Sequence, residues 1–391
     1  MRHHMSATLS EGDLAIDHEL ADIANGFRFL LDLTPVDLVT LRRTFESTGH
    51  PGPFRYRPME DEPALAAKRV AAVAVDAVDD PTLASLLLAK QRELLLQLEM
   101  LSCRGTDTFL PLSIELYGTV GPSLLAEAQA ILSDVPSSGP EAGPWLGADQ
   151  LAQAAQAELD RYRAIAPDLE SHVEVREGST GVMVSNGDVL VAPTARVAVA
   201  RLDALLQHEV GTHVVTHVNG AHQPLHVLAS GLAGHEETQE GLAVLAEHLV
   251  GGLSASRLRQ LAARALAVHL MVTGAGFEDV HRDLVAAEVP PRQALSITVR
   301  VFRSGGLTKD AVYLRGLRDL VDHLAGGGDL APLWLGKMPL SAVPLVAELH
   351  RRGALRDPVL LPHYLDDPAA VQRLSRLHQV SSLTALIGDA P

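Results

Sequence analysis

The chain contains two histidines and a glutamate whose order is typical of zinc hydrolases but whose spacing is unusual. In LLQHEVGTHVVTH, residues 205–217, His208 and Glu209 are followed by His213, so the two histidines are five residues apart. Imidazole nitrogens are good zinc ligands, and a glutamate beside them can act as a general base toward water. This order of residues indicates a hydrolytic metal site.

The five-residue spacing is a geometric problem for a regular helix. Histidines four residues apart differ by about 40° around the helix axis and can share an ion, whereas five residues give about 140°. His208 and His213 therefore require a distorted helix such as a π-bulge, which Gly211 makes easier because it has no β-carbon. We expect the helix to be irregular, or to end, between Glu209 and His213. The alternative pair, His213 and His217, has the regular spacing but no glutamate after its first histidine.

A zinc site needs a third protein ligand, and a second helical pattern offers carboxylates for it: Glu236, Glu237, Glu240 and Glu247. In GHEETQEGLAVLAEHLV, residues 234–250, Glu240 lies among apolar residues, where a carboxylate without a partner is unfavourable. Metal coordination by Glu240 is one explanation. Seven of the 18 histidines fall within residues 208–248. Those outside the His208 and His213 pair are expected to be surface or satisfied core residues: His217, His222, His226, His235 and His248.

The elements that must position these residues follow from the hydrophobic periodicity. Alternating valines on both sides of Asn186-Gly187 predict a hairpin with a two-residue type I′ turn. Residues 194–215 have a helical pattern, which places the motif inside a helix. From residue 236 onward the pattern is mostly helical, with breaks at residues 290–291 and 326–328. The hairpin could also bind an extended peptide by adding a strand.

Composition limits the classes of partner. The chain has 48 acidic and 32 basic residues and a net charge of −16, which disfavours nucleic acids and anionic membranes. Cys103 is the single cysteine, so no internal disulfide can form, and a reducing compartment is expected. No apolar run has the length of a signal peptide or membrane span, so we expect a cytoplasmic protein.

Three segments together resemble a known family. LLQHEVGTH, SGLAGHEETQEGLAVLAEHLVGGL and RVFRSGGLTKDAVYLRGL are similar to the bacterial QEGLA-motif proteins, a former domain of unknown function, whose eukaryotic relatives are the microtubule-associated tyrosine carboxypeptidases. The resemblance implies a zinc peptidase with an HExxxH motif. It implies that His208, His213 and Glu240 hold a Zn²⁺ ion, and that Glu209 is the catalytic glutamate.

The resemblance also implies a fold, and the hydrophobic periodicity and composition predict a domain order. We expect a predominantly helical α+β protein with a zincin-like metallopeptidase core and a small β-sheet or hairpin next to the metal-binding helix. A flexible tail is predicted over residues 1–12 and an N-terminal helical region over residues 13–136. The zinc metallopeptidase catalytic region is predicted over residues 150–391, after a linker rich in proline and glycine at residues 135–149.

The third segment supplies groups that a carboxypeptidase would need besides the metal. A tetrahedral oxyanion needs a donor, and the terminal carboxylate of a substrate needs a cation. Arg300 is a candidate, and the residues in the part most similar to the family are expected to bind substrate: Arg303, Lys309 and Tyr313.

Two functions remain open on the sequence alone. The first is a zinc-dependent carboxypeptidase that removes a C-terminal residue from a protein or peptide. The second is a non-catalytic or weakly catalytic regulatory protein that retains the fold. Glu209 favours the first, because a regulator has no need of a glutamate that is not a ligand. Tubulin is not implied as substrate, since the acidic chain has no basic tract to hold an acidic tail.

Overall fold

The computed structural model describes residues 9–60, 62–137, 143–177, 179 and 181–387. Its N-terminal part is helical, as predicted for residues 13–136. The helices of this part are α1 (Glu11–Asn25), α2 (Phe29–Asp32), α3 (Leu38–Thr48), α4 (Pro63–Ala72), α5 (Pro81–Ser102), α6 (Phe109–Tyr117) and α7 (Pro122–Asp134).

The first helix begins inside the predicted tail. Ser10 is the N-cap of α1: its hydroxyl accepts a hydrogen bond from the backbone N–H of Asp13, and the Asp13 carboxylate accepts one from the Ser10 N–H. This reciprocal cap explains why the helix starts at Glu11. The tail predicted over residues 1–12 therefore overlaps the helix by two residues, and residues 1–8 lie outside the described part.

Short strands occupy the middle of the chain. In order these elements are β1 (Trp145–Leu146), α8 (Ala148–Arg163), β2 (Val173–Val175), β3 (Val182–Ser185), β4 (Asp188–Val191) and β5 (Val197–Ala198). The strands form a two-stranded β1-β5 sheet and a three-stranded sheet in the order β2-β4-β3. Of the predicted linker, residues 138–142 lie outside the described residues.

The predicted hairpin is confirmed. Strands β3 and β4 are antiparallel, Ser185 faces Asp188, and the two residues between them have positive φ, 49° at Asn186 and 87° at Gly187. These are the backbone angles that a type I′ turn requires and that asparagine and glycine tolerate best. Strand β2 joins the sheet parallel to β4.

The prediction of one helix over residues 194–215 is wrong at its N-terminal end, whereas the predicted distortion of the helix is present. Residues 197–198 form β5, which pairs with β1 some fifty residues earlier, and a 3₁₀ turn follows at Val199–Arg201. Helix α9 (Leu202–His208) then leads into a π-helical turn at Glu209–Val214, and α10 (Val215–Ala221) continues the chain. The expected distortion between the two motif histidines is confirmed.

The C-terminal part is again helical and breaks where predicted. Helix α15 begins at Pro291, and α16 ends at Ala325 before the three glycines. The helices are α11 (Val227–Ser230), α12 (His235–Leu249), α13 (Ala255–Val272), α14 (Phe277–Ala286), α15 (Pro291–Phe302), α16 (Val312–Ala325), α17 (Val343–Arg351) and α18 (Pro368–Arg376). None of the helices in the described part combines the length and apolar character needed to cross a membrane.

One hydrophobic core runs through both halves of the chain. Its buried side chains extend from Leu20 in α1 to Leu386 near the end of the described residues, and α7 packs on α13. Helices α12 and α16 approach each other closely at two glycines. A β-carbon added to Gly241 would lie 2.3 Å from the carbonyl carbon of Gly316, and one added to Gly316 would lie 2.0 Å from the Glu237 oxygen. The QEGLA segment is thereby held against α16.

Candidate metal centre

Three elements bring His208, His213 and Glu240 together. His208 is the last residue of α9, His213 lies in the π-helical turn, and Glu240 is in the second turn of α12. One ligand atom from each lies within 4.8 Å of the other two. The His208 Nε2 and His213 Nε2 atoms are 3.8 Å and 3.9 Å from the same carboxylate oxygen of Glu240. The wider π turn allows two histidines five residues apart to face one point.

This donor set fits zinc. Zinc is bound by imidazole nitrogen and carboxylate oxygen at about 2.0–2.2 Å, so tetrahedral donors are about 3.3–3.5 Å apart. The two separations between a histidine nitrogen and the Glu240 oxygen are wider by about half an ångström, which small side-chain rotations can close. Two imidazoles and one carboxylate leave a fourth position open, as in catalytic zinc sites.

The orientation of His208 is set by a buried carboxylate two turns beyond Glu240. The Nδ1 atom of His208 is 2.9 Å from an oxygen of Glu247, which leaves Nε2 to face Glu240. Arg201 and Arg257 contact the Glu247 carboxylate at 2.6 Å and 3.0 Å. Burial alone would raise the pKa of Glu247, but Arg257 and the other partners hold it well below its usual range. A carboxylate on the second nitrogen is the usual outer partner of a metal-binding histidine.

Glu240 has its own outer partners. The Nζ atom of Lys309 is 3.6 Å from Glu240 Oε1 and 3.3 Å from Glu236, and the Tyr313 hydroxyl hydrogen-bonds to the Glu240 carboxylate. Burial raises the pKa of Glu240, but the Lys309 charge, followed by His213, lowers it to about 2. Lys309 and Tyr313, predicted to bind substrate, thus contact a predicted ligand.

His213 is held in the neutral form that metal binding requires. Burial lowers its pKa to about 4 against the opposing charge of Glu240. Its ring hydrogen-bonds to the side chain of Gln239, whose amide oxygen also accepts a hydrogen bond from the Thr216 hydroxyl at 2.8 Å. All three predicted ligands therefore have a partner that orients them.

Glu209 differs from the other buried carboxylates of the site because it is unpaired. Glu209 is 8% exposed and lines the groove, and no hydrogen bond or ion pair joins its carboxylate to the described residues. Burial raises its pKa to about 7, opposed by His208 and reinforced by Glu240. A carboxyl group that titrates near neutrality is suited to proton transfer.

His217, the alternative ligand, lies away from this cluster. A β-carbon on Gly187 of the hairpin turn would be 2.4 Å from the His217 ring, so the ring packs under the turn. Burial lowers the pKa of His217 to about 4. The regularly spaced pair does not converge with Glu240.

A positively charged wall faces the metal cluster. Arg300 donates two hydrogen bonds to Asp310, at 2.7 Å and 2.6 Å, and Arg264 Nε is 3.9 Å from the same carboxylate. Arg303 is only 7% exposed, its Nε atom has no hydrogen-bond partner in the described part of the chain, and Nη1 donates to Thr34 at 3.2 Å. Burial, followed by the Arg300 charge, lowers the pKa of Arg303 to about 10. One carboxylate thus faces three guanidinium groups.

A groove of about 810 Å³ connects the metal cluster, the cationic wall and strand β3. A smaller cavity of about 150 Å³ shares Thr34, Arg300 and Arg303 with this groove. The rest of the small cavity is mostly apolar, lined by Pro35, Leu38, Leu41, Leu295 and Val299. A molecule that reaches Arg303 is therefore next to an apolar recess.

The sequence analysis missed several basic residues of the groove: Arg201, Arg257, Arg264 and Lys337. Glu247 was among the carboxylates of the second helical pattern, and its position had a local signal, because seven residues after Glu240 a helix has turned through almost two full turns and presents the same face. The arginines and Lys337 come from distant segments and have no such signal. Burial, followed by the Lys90 charge, lowers the pKa of Lys337 to about 8.

Comparison with known proteins agrees with the resemblance noted in the sequence. The family model described as microtubule-associated tyrosine carboxypeptidase matches residues 44–382, which contain all the residues of the metal cluster and the cationic wall. No curated protein matches the chain. Since the family match covers most of the sequence, the chain belongs to the microtubule-associated tyrosine carboxypeptidase family.

Proposed function

We propose that the protein is a zinc-dependent carboxypeptidase that removes the C-terminal residue of a protein or peptide. The observation that carries the proposal is the convergence of His208, His213 and Glu240 on one point beside the unpaired Glu209. Family membership supports the same activity. We also propose a zincin-like core, in which the helix with the first histidine packs beside a small sheet.

Glu209 is the proposed general base. When bound, zinc supplies a Lewis acid and lowers the pKa of a coordinated water to about 7. Glu209 accepts the proton of the attacking water and returns it to the leaving amine. The carboxylate follows His208 directly, about 100° further round the helix, so it stands beside the ligands without joining them.

Arg303 is the proposed receptor for the terminal carboxylate of the substrate. Arg300 is paired to Asp310 and Lys309 to two glutamates, so their charges are already balanced. Arg303 has no carboxylate partner among the described residues, and its buried Nε lacks an acceptor. A guanidinium can bind a carboxylate through two parallel hydrogen bonds, which also fixes the position of the substrate end.

The small cavity beside Arg303 is the proposed site of the terminal side chain. Dry apolar cavities of about 150 Å³ are large enough to hold a benzene ring. The cavity has this volume and a largely apolar lining. We therefore propose an aromatic C-terminal residue, in keeping with the tyrosine named in the family description.

The decisive experiment combines metal analysis with peptide cleavage. Purified protein is loaded with zinc and given peptides that end in tyrosine, each as the free acid and as the C-terminal amide. We expect one zinc per chain and removal of the terminal residue from the free acids alone. Stoichiometric zinc without cleavage of any peptide would favour the regulatory alternative, and cleavage within the peptides would contradict carboxypeptidase action.

A further inference from the structure

Strand β3 is an open edge beside the metal cluster. In the three-stranded sheet β3 pairs with β4 on one side and has no strand on the other among the described residues. Its residues Val182, Met183 and Val184 line the groove, and β3 packs against the π-helical turn that holds Glu209 and His213. The free edge is therefore part of the groove wall.

The turn type determines which backbone groups of β3 face this edge. Ser185 and Asp188 flank the two-residue turn and form the hydrogen-bonded pair that closes it. Because strand residues alternate in direction, Met183 also faces β4, whereas Val182 and Val184 direct their N–H and C=O groups outward. The Gly181 carbonyl accepts a hydrogen bond from Ala192, as this alternation requires.

Two apolar side chains that line the same groove are partly exposed. Trp145 is 43% exposed and Met183 is 36% exposed, and both line the groove. An extended chain that enters here would gain backbone hydrogen bonds from β3 and apolar contact from these two side chains. Its end would lie close to Glu209.

We propose that the free edge of β3 is the docking site for the substrate chain on the amino-terminal side of the bond that is cleaved. The substrate adds as a fourth strand and pairs with Val182 and Val184. This inference rests on the proposed carboxypeptidase function. The outward backbone groups of Val182 and Val184 hydrogen-bond to two substrate residues that are also two positions apart. The N–H and C=O groups of the substrate residue between them therefore point away from β3.

The alternating pattern of hydrogen bonds between substrate and β3 can be tested with wild-type protein. Acetylated eight-residue peptides ending in tyrosine are prepared with a single N-methyl group at each position upstream of the cleaved bond. We expect kcat/KM to fall by about three- to tenfold at two positions separated by one residue, since each methyl removes a hydrogen bond. The position between them should be little affected.

A pair of proline variants gives a second measure. Proline is tolerated on edge strands where the N–H faces outward, so Val184→Pro should fold but lose one donor. It should raise KM for the eight-residue peptide more than KM for an acetylated dipeptide, which is too short to reach β3. Val175→Pro, on the opposite edge of the same sheet, is the matched control and should leave KM for both substrates unchanged.

The outcomes separate the two proposals. If wild-type protein with zinc cleaves no peptide, the proposed function fails and the inference with it. If it cleaves the peptides but N-methylation has the same effect at every position, β3 is not the docking strand and the carboxypeptidase proposal stands. Circular dichroism checks that Val184→Pro is folded, and if it is not, the N-methyl series alone decides.

Discussion

The two sides of the groove differ in whether their buried charged side chains are paired. The metal side is formed by α9, the π-helical turn and α12, and each of its three predicted ligands is held by a neighbouring group, such as Glu247 on His208 and Lys309 on Glu240. The cation side is formed by Arg264, Arg300 and Arg303, which face the single carboxylate of Asp310. Buried charges without partners are costly, so the surplus on the cation side indicates a site for an anion.

The pKa values of Glu240 and Arg303 reflect the same difference in pairing. On the metal side Lys309 stabilises the charged form of Glu240 and lowers its pKa to about 2. On the cation side burial, followed by Arg300, destabilises the charged form of Arg303 and lowers its pKa to about 10. The charges of the metal side are paired, whereas Arg303 has no carboxylate partner among the described residues, which supports the proposal that it binds the carboxylate of a substrate.

Loss of a ligand from the metal side should have the largest effect. Replacing His213 by alanine removes one of three protein ligands, and we expect stoichiometric zinc to be lost because the remaining two donors hold the ion poorly. His217→Ala is the matched control, since His217 packs under the hairpin turn and should leave zinc content unchanged. Metal analysis of both variants decides the pairing; the reverse result would show that the regularly spaced histidines are the ligands.

Replacement of Arg303 should impair cleavage of the substrate and leave zinc binding unchanged. Truncating one partner of a buried charged pair costs about 2–5 kcal/mol, so Arg303→Met should lower kcat/KM on free-acid peptides by at least about 30-fold. Zinc content should be unchanged. Arg42→Met, which replaces an exposed arginine at the rim of the small cavity, is the control. Equal losses in the two variants would remove the special role of Arg303.

Weakening an outer partner on the metal side should have a moderate effect on zinc affinity. Glu247→Gln keeps the shape of the side chain but removes the charge that orients His208 and balances two arginines. Changes to such outer partners cost about 10- to 100-fold in metal affinity. Competition with a zinc chelator measures the dissociation constant. An unchanged constant would mean that the Glu247 hydrogen bond does not support the site.

A packing change where α16 meets α12, beside the metal side of the groove, should lower the stability of the whole protein. Gly316→Ala places a methyl group against the α12 backbone, and overpacking of this kind costs about 1–3 kcal/mol. Gly326→Ala, at the end of α16, meets only the preceding turn and is the control. Urea unfolding should show a lower free energy of unfolding for Gly316→Ala. Equal free energies of unfolding for the two variants would contradict the close contact between α12 and α16.

Local rules predicted part of the fold and of the site. The π distortion followed from the angle between His208 and His213 and from Gly211, and the hairpin followed from Asn186-Gly187, because both depend on residues close in sequence. The structure also brings Glu240 to the two histidines, although their role as zinc ligands stays a prediction.

The rest depended on contacts between distant segments. Residues 197–198 have a helical pattern, but pairing with β1 gives them an extended conformation. The 3.6 Å contact of Lys309 with Glu240 joins distant segments and had no local signal, whereas the substrate-binding role predicted for Lys309 and Tyr313 stays a prediction. Arg257 and Arg201 reach Glu247 from separate elements, which no local pattern indicates.

The most direct test of the central claim is Glu209→Gln, measured for zinc content and for turnover of a free-acid peptide. The substitution keeps the size of the side chain and removes its basicity. General-base catalysis contributes about 10²- to 10⁴-fold, so we predict full zinc content with turnover reduced by that factor. Unchanged turnover would remove Glu209 from the chemistry, and loss of zinc would show that Glu209 holds the metal site together instead of acting beside it.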